Sequence, residues 1–252
     1  MILFNNDYTI DSEFIPKTTK SSRLEYYEGI KKGLPITMGY IPVSFTFGLM
    51  AVNGGLPAWM AIFISMSNLT SAGQFAGTSL IINNGSLFEI ALTTFVINIR
   101  YMLMSLSISQ KISPDMKRAL RSIIAFGITD ETFTIAAMED KEITFPFMLG
   151  LETGPTLGWV FGTALGAISC SFLPEVLQSS MGIALYAMFI ALVVPESKKS
   201  KAVLKVTLTG VLISCIFTWT PLLNNISGGW RIIIATIIAS SMGAICFPRE
   251  DD

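Results

Sequence analysis

Three ionisable side chains sit where the chain is otherwise apolar: Arg100 in FVINIRYMLMSL, and Asp130 and Glu131 in GITDETF. A charge inside a segment that crosses lipid is costly and needs a partner or a task. Arginine stays charged, so Arg100 requires a carboxylate, from the protein or from a solute. Neighbouring helical residues point about 100° apart at 3.6 residues per turn, so one acid can pair with Arg100 while the other faces a cavity. A carboxyl group withdrawn from water can also hold a proton near neutral pH. Together the three offer recognition of a charged or zwitterionic solute; the plainer alternative is an ion pair that locks two helices. A second polar group, Ser67, Asn68, Thr70, Ser71 and Gln74, lies in SNLTSAGQFAG among Ala72, Gly73, Ala76 and Gly77. An unwound turn there would expose backbone N–H and C=O groups to a zwitterion; hydrogen-bonded packing between helices is the alternative for each member. Gly73 and Gly77 have the small-residue spacing that lets helices approach closely.

The elements that must position these groups are transmembrane helices. The chain has 252 residues, 51% hydrophobic and 14% charged, with a mean hydropathy of +0.59; a soluble domain carries about 25% charged residues. Spans of about 20 apolar residues fall at roughly 34–52, 57–82, 87–109, 122–138, 144–170, 176–194, 202–220 and 230–247. Runs such as IIIATIIAS do not alternate in polarity, which excludes a transmembrane β-barrel. The expected fold is all-α: a polytopic transmembrane helical bundle of seven or eight hydrophobic segments, some kinked, broken or re-entrant. Residues 1–32 read as a cytoplasmic tail, 33–247 as a single transmembrane domain and 248–252 as a short C-terminal tail. Within the first tail, SSRLEYYEGIKK (21–32) reads as a short amphipathic helix at the membrane surface or as solvated chain. Pro42 and Pro155 lie inside segments and should kink them; Gly154, Gly158, Gly162 and Gly166 mark the second as closely packed. Glu152 shares that segment as a further functional candidate. Glu89 lies near a segment end, where reaching the interface is the default, and tryptophans are expected mostly at segment ends.

Basic residues set orientation. Three clusters should be cytoplasmic: the N-terminal tail (Lys17, Lys20, Arg23, Lys31, Lys32), the loop 110–121 (Lys111, Lys117, Arg118, Arg121) and 195–205 (Lys198, Lys199, Lys201, Lys205). Three segments separate each cluster from the next, so three full crossings would alternate them. The conflict disappears if 57–82 and 122–138 do not fully cross, and both carry polar, helix-weakening centres. Broken backbone at membrane depth is tolerated beside protein or a water-filled cavity.

Several classes are excluded. Net charge is −1, which gives no basic footprint for nucleic acid. The chain has no histidine and three unpaired-looking cysteines, so no metal site is expected. No phosphate-binding loop or hydrolase motif is present. Asp130–Glu131 is the sole acid pair at depth, and adjacent residues make a poor catalytic dyad, so the chain does not read as an enzyme. A passive channel remains the alternative to a transporter.

The order GLPITMGYIPVSFTFG (33–48), SNLTSAGQFAG (67–77), NIRYMLMS (98–105) and ITDETF (128–133) resembles the AzlC-like branched-chain amino-acid permeases, over about the first 165 residues. Tyr101 stands where that family often has histidine after the arginine. The resemblance implies an exporter of leucine, isoleucine and valine, with no cofactor and driven by the proton gradient. It also implies a separately encoded AzlD-like partner of about four helices and a place in the bacterial cytoplasmic membrane. Candidate substrate or coupling residues are then Arg100, Asp130, Glu131, Asn98, Gln74, Ser71 and Thr129, with Phe75, Met102 and Phe133 shaping an apolar pocket.

Overall fold

The computed structural model describes residues 21–170, 197–220 and 226–247, with positions 172, 174, 190, 193–195 and 223 between them. Among these the chain is helical: α1 (Ser22–Asn53), α2 (Ala58–Ser67), α3 (Ala72–Ile82), α4 (Leu87–Ser109), α5 (Arg118–Phe126), α6 (Asp130–Ala137), α7 (Phe145–Ser169), α8 (Lys201–Trp219) and α9 (Gly228–Cys246). Helices α1, α4, α8 and α9 are long and apolar enough to cross a membrane. The segments expected at 57–82 and 122–138 are each broken in two, at residues 68–71 and 127–129. The segment expected at 176–194 falls almost wholly outside the described residues, as do 1–20 and 248–252. Helix α1 begins at Ser22, so 22–32 runs into the first hydrophobic segment as one continuous helix and is not a separate element. Both α1 and α7 run on through Pro35, Pro42 and Pro155.

Helices α1 and α7 lie parallel and in backbone contact along their length. A Cβ at Gly29 would sit 2.2 Å from the Phe147 carbonyl oxygen, and one at Gly48 would sit 2.3 Å from that of Thr163. From the other side, Cβ atoms at Gly150 and Gly166 would lie 2.1 and 2.0 Å from the carbonyls of Tyr26 and Phe45. Glycine is required here by proximity, the small-residue packing of helices in lipid. Phe47, Met148, Leu151 and Trp159 fill the core around this pair. By contrast Phe88, Phe95, Leu103, Leu106 and Leu212 are exposed on α4 and α8, the apolar outer surface that lipid solvates.

The two broken segments are hairpins that enter from opposite ends of the bundle. At one end Lys32 is paired with Glu139, and Lys111 donates to the carbonyl oxygens of Ala137 (2.5 Å) and Glu139 (3.1 Å). Ser113 and Ile143 are joined there by a backbone hydrogen bond of 3.0 Å. The start of α1, the end of α4, both ends of α5–α6 and the start of α7 therefore share that end. At the other end, a Cβ on Gly54 would meet the Ile82 side chain at 2.2 Å, so α2–α3 leaves and returns at the same level. Helix α4 runs antiparallel to α3, with Gly73 against Asn98 and Gly77 against Thr94; the small-residue spacing does what it predicts.

Glu89, expected to reach the interface, is buried instead. It accepts from the Ser227 hydroxyl and from the Gly229 N–H at 3.0 Å. The physical reason is the start of α9, whose free N–H groups and positive dipole end favour a carboxylate. Helix α9 thus starts opposite the Lys32 end. Its antiparallel neighbour α8, with Val206 against Gly243 and Thr209 bonded to Met242, starts at the Lys32 end. The described members of all three basic clusters consequently lie at one end of the molecule, although three segments separate them in sequence.

Candidate functional site

The two breaks meet at mid-height, and the polar groups that weaken each segment are those displayed there. In the α2–α3 turn, Asn68 folds back to accept from the Thr70 N–H (2.9 Å) and hydroxyl (2.6 Å). Ser71, at φ 45° and ψ −94°, occupies the N-cap of α3 with no side-chain capping bond. That backbone lies near the strained γ-turn region. The α5–α6 turn is closed differently. The Thr129 hydroxyl accepts from the Thr132 N–H, and the Thr132 hydroxyl accepts from the Thr129 N–H at 2.7 Å. This is a reciprocal capping box built with threonine in place of the usual glutamate. Asp130 and Glu131 form the first turn of α6, where negative charge complements the helix dipole.

Arg100, from the middle of α4, donates from Nη2 to Asp130 Oδ2 at 2.9 Å. Tyr40 of α1 donates to Glu131 Oε2 at 2.5 Å and lies 2.8 Å from the Thr129 hydroxyl. The acid pair is therefore split between two partners, as adjacent helical positions require. Arg100, Asp130, Glu131, Tyr40, Tyr101 and Ser71 line a cavity of about 440 Å³, together with the apolar Leu69, Val96, Ile97, Ile99 and Trp159. The Arg100 and Asp130 side chains keep 43% and 36% of their exposure, so the pair faces the cavity and is not sealed between helices. Arg100 Nε, in contrast, is buried with no partner among the described residues. Tyr101 donates to the Thr70 carbonyl at 3.3 Å, tying α4 to the α2–α3 turn.

The other sequence candidates sit behind this cavity. Gln74 is buried; it donates to Ser65 Oγ at 2.7 Å and accepts from Trp159 Nε1 at 2.9 Å. Ser65 is in turn 2.7 Å from Thr163 Oγ1. Gln74 thus joins α3, α2 and α7. Asn98 abuts Gly73, and its Oδ1 is buried without a partner among the described residues. Thr129 serves the capping box and Tyr40. Phe75 packs edge-on to Phe47 at 5.3 Å, Met102 faces outward and Phe133 packs on the core. None of these three is among the residues that line the cavity. Tyr40 and Trp159 were not among the sequence candidates. Trp159 lies in the middle of α7, not at a segment end, with its ring 5.1 Å from that of Tyr40. The signal that marks both is a hydroxyl or indole N–H in a segment centre, where a buried donor needs an acceptor.

Among the described residues no cluster of acidic or cysteine side chains could hold a metal ion. The fold and the site together define a polytopic α-helical membrane protein, with an ion-paired cavity between two opposed hairpins. The family model described as AzlC protein matches residues 35–173, a stretch that spans α1 to α7 and holds nearly all of the cavity. The chain belongs to the AzlC family. It is 30% identical over 184 residues to the inner membrane protein YgaZ of Escherichia coli, covering 70% of this chain and 75% of that one. An uncharacterized membrane protein of Archaeoglobus fulgidus is 34% identical over 175 residues, 69% of this chain and 76% of that one. One from Helicobacter pylori is 25% identical over 187 residues, 70% and 79%. No solved structure matches the chain.

Proposed function

We propose that this chain is the large subunit of a proton-driven exporter of branched-chain aliphatic amino acids, and not an enzyme. The observation that carries the reading is the cavity itself. Its lining combines a guanidinium and two carboxylates with apolar side chains, and its volume falls within the ~300–1,000 Å³ range of small-molecule sites. The substrate carboxylate displaces Asp130 on Arg100, beside the uncapped start of α3. The ammonium group is held by Glu131 and the released Asp130. The aliphatic side chain lies against Leu69, Val96 and Ile99. One methylene in such a wall discriminates by only about 1–3 kcal/mol, so leucine, isoleucine, valine and methionine are all accepted.

Basic residues gathered at one end support a cytoplasmic location for that end and for the N-terminus. The name of the Escherichia coli relative, an inner membrane protein, supports a bacterial cytoplasmic membrane. A small AzlD-like subunit of about four helices completes the transporter. The test is binding of radiolabelled leucine, methionine and azaleucine to purified protein, with and without that subunit. Saturable binding in which the three compete is the expected result; absence of binding in both preparations removes the proposal.

A further inference from the structure

We infer that Glu152 is the group that carries the coupling proton, held between the cavity and the basic end of the molecule. This rests on the proton-driven reading above and assigns a residue to it that does not touch the substrate. Glu152 is buried on α7, and its Oε1 has no hydrogen-bond partner among the described residues. It lies two helical turns, about 10 Å at 1.5 Å per residue, nearer the basic end than Trp159, which lines the cavity.

Its carboxyl group presses on the tip of the α5–α6 hairpin. A Cβ at Gly127 would lie 2.3 Å from Glu152 Cδ and 2.4 Å from Oε2. Gly127 has an ordinary φ of −89°, so glycine is needed there to admit the carboxyl group and not for its backbone freedom. The Gly127 carbonyl also accepts from the Thr132 hydroxyl at 3.0 Å, the hydroxyl that closes the cap beneath Asp130 and Glu131. A change at Glu152 is therefore felt one residue pair away from the acids of the cavity.

Among the described residues no cation from a neighbouring element answers this carboxyl group. The α1 residues facing this stretch of α7 include Tyr26, whose hydroxyl donates to Thr153 at 3.4 Å, Gly29, Ile30, Gly33 and Thr37, and Lys32 is engaged by Glu28 and Glu139. On α5, Arg121 donates to the Met116 carbonyl at 3.0 Å, and Arg118 opens the helix at its far end. On α6, Asp130 is held by Arg100 and Glu131 by Tyr40; α2 has no ionisable side chain. An unpaired acid at this depth is accommodated as the neutral carboxylic acid. The step is a proton joining the carboxylate from the acidic side of the gradient and leaving to the other side, with no other bond changed. Charge on the carboxylate then pushes against the Gly127 turn, and neutralisation relaxes it.

The experiment uses proteoliposomes carrying the chain with its small subunit, loaded with radiolabelled leucine. Leucine exchange is measured without a pH gradient, and net transport with one. Wild-type transport stimulated by the gradient establishes proton drive; transport indifferent to it sinks the function reading itself, independently of Glu152. Given that stimulation, Glu152→Gln keeps exchange and loses the stimulation. Glu152→Gln that is stimulated like wild type, or that is folded and loses both activities, overturns the assignment. Should Glu152→Gln fail to fold, Glu152→Asp replaces it: the shorter acid shifts the pH midpoint of transport, and an unmoved midpoint overturns the assignment equally.

Discussion

The two broken segments solve one problem in opposite ways. In α5–α6 the free N–H groups of the second helix are answered from within, by the Thr129–Thr132 box, and its dipole is met by Asp130 and Glu131. In α2–α3 the second helix starts at Ser71 with no side-chain cap, in strained backbone, beside a turn that spends its one amide side chain on itself. The first break therefore presents negative charge to the cavity. The second presents a helix start without a side-chain cap, with Arg100 also on the cavity lining. The difference teaches that polarity within an apolar segment is insufficient to identify a site. What counts is which polar groups remain unspent after the backbone has been satisfied. Gln74, in the first turn of α3, is spent on Ser65 and Trp159.

The largest test alters the charged groups of the cavity. Arg100→Lys keeps a cation but loses the planar fork, and Glu131→Gln keeps shape without charge. Each should weaken leucine binding by about 100-fold, equivalent to ~2.7 kcal/mol, while folded protein accumulates normally. Loss of folded protein in place of binding would mean that these residues clamp helices. Next in size, Gly127→Ala drives a methyl into the Glu152 carboxyl group. Overpacking of this kind costs ~1–3 kcal/mol, read as a lower unfolding midpoint in detergent. Smaller again, Thr129→Ala removes the cap of α6 and should cost ~1 kcal/mol, whereas Ser71→Ala, with no capping bond to lose, should leave the midpoint unchanged. Equal effects at the two positions would erase the comparison. Smallest is Ser71→Gly, which relieves the positive φ and should raise the midpoint by the equivalent of ~0.5–1 kcal/mol, offset in part by the freer unfolded chain.

Much of this architecture was legible in the sequence. The broken segments declare themselves because SNLTS and GITDE place small and capping residues where a spanning helix wants leucine. The basic clusters offer a choice between one cluster that defies the orientation rule and two segments that return to the side they entered from; both segments are hairpins whose ends lie at one level. Arg100 needed a carboxylate, and the choice was confined to two adjacent acids. The rest depended on contacts remote in the chain. That Asp130 takes Arg100 while Glu131 takes Tyr40 is set by the rotation of α6, which hydropathy does not record. Tyr40 is not among the sequence candidates and Trp159 falls among tryptophans expected mostly at segment ends; α1 and α7, more than 100 residues apart in sequence, bring the two rings together. Glu89 looked interfacial because the helix end it caps lies 140 residues away.

The central claim is that the cavity reads both charges of an amino acid at once, and competition binding measures this directly. Radiolabelled leucine bound to the purified protein is challenged with leucine, with 3-methylbutylamine, which lacks the carboxylate, and with 4-methylpentanoate, which lacks the ammonium group. Displacement by leucine alone at comparable concentrations is the predicted result. Equal displacement by either singly charged analogue would contradict it, because one of the two opposed charges would then have no part in recognition.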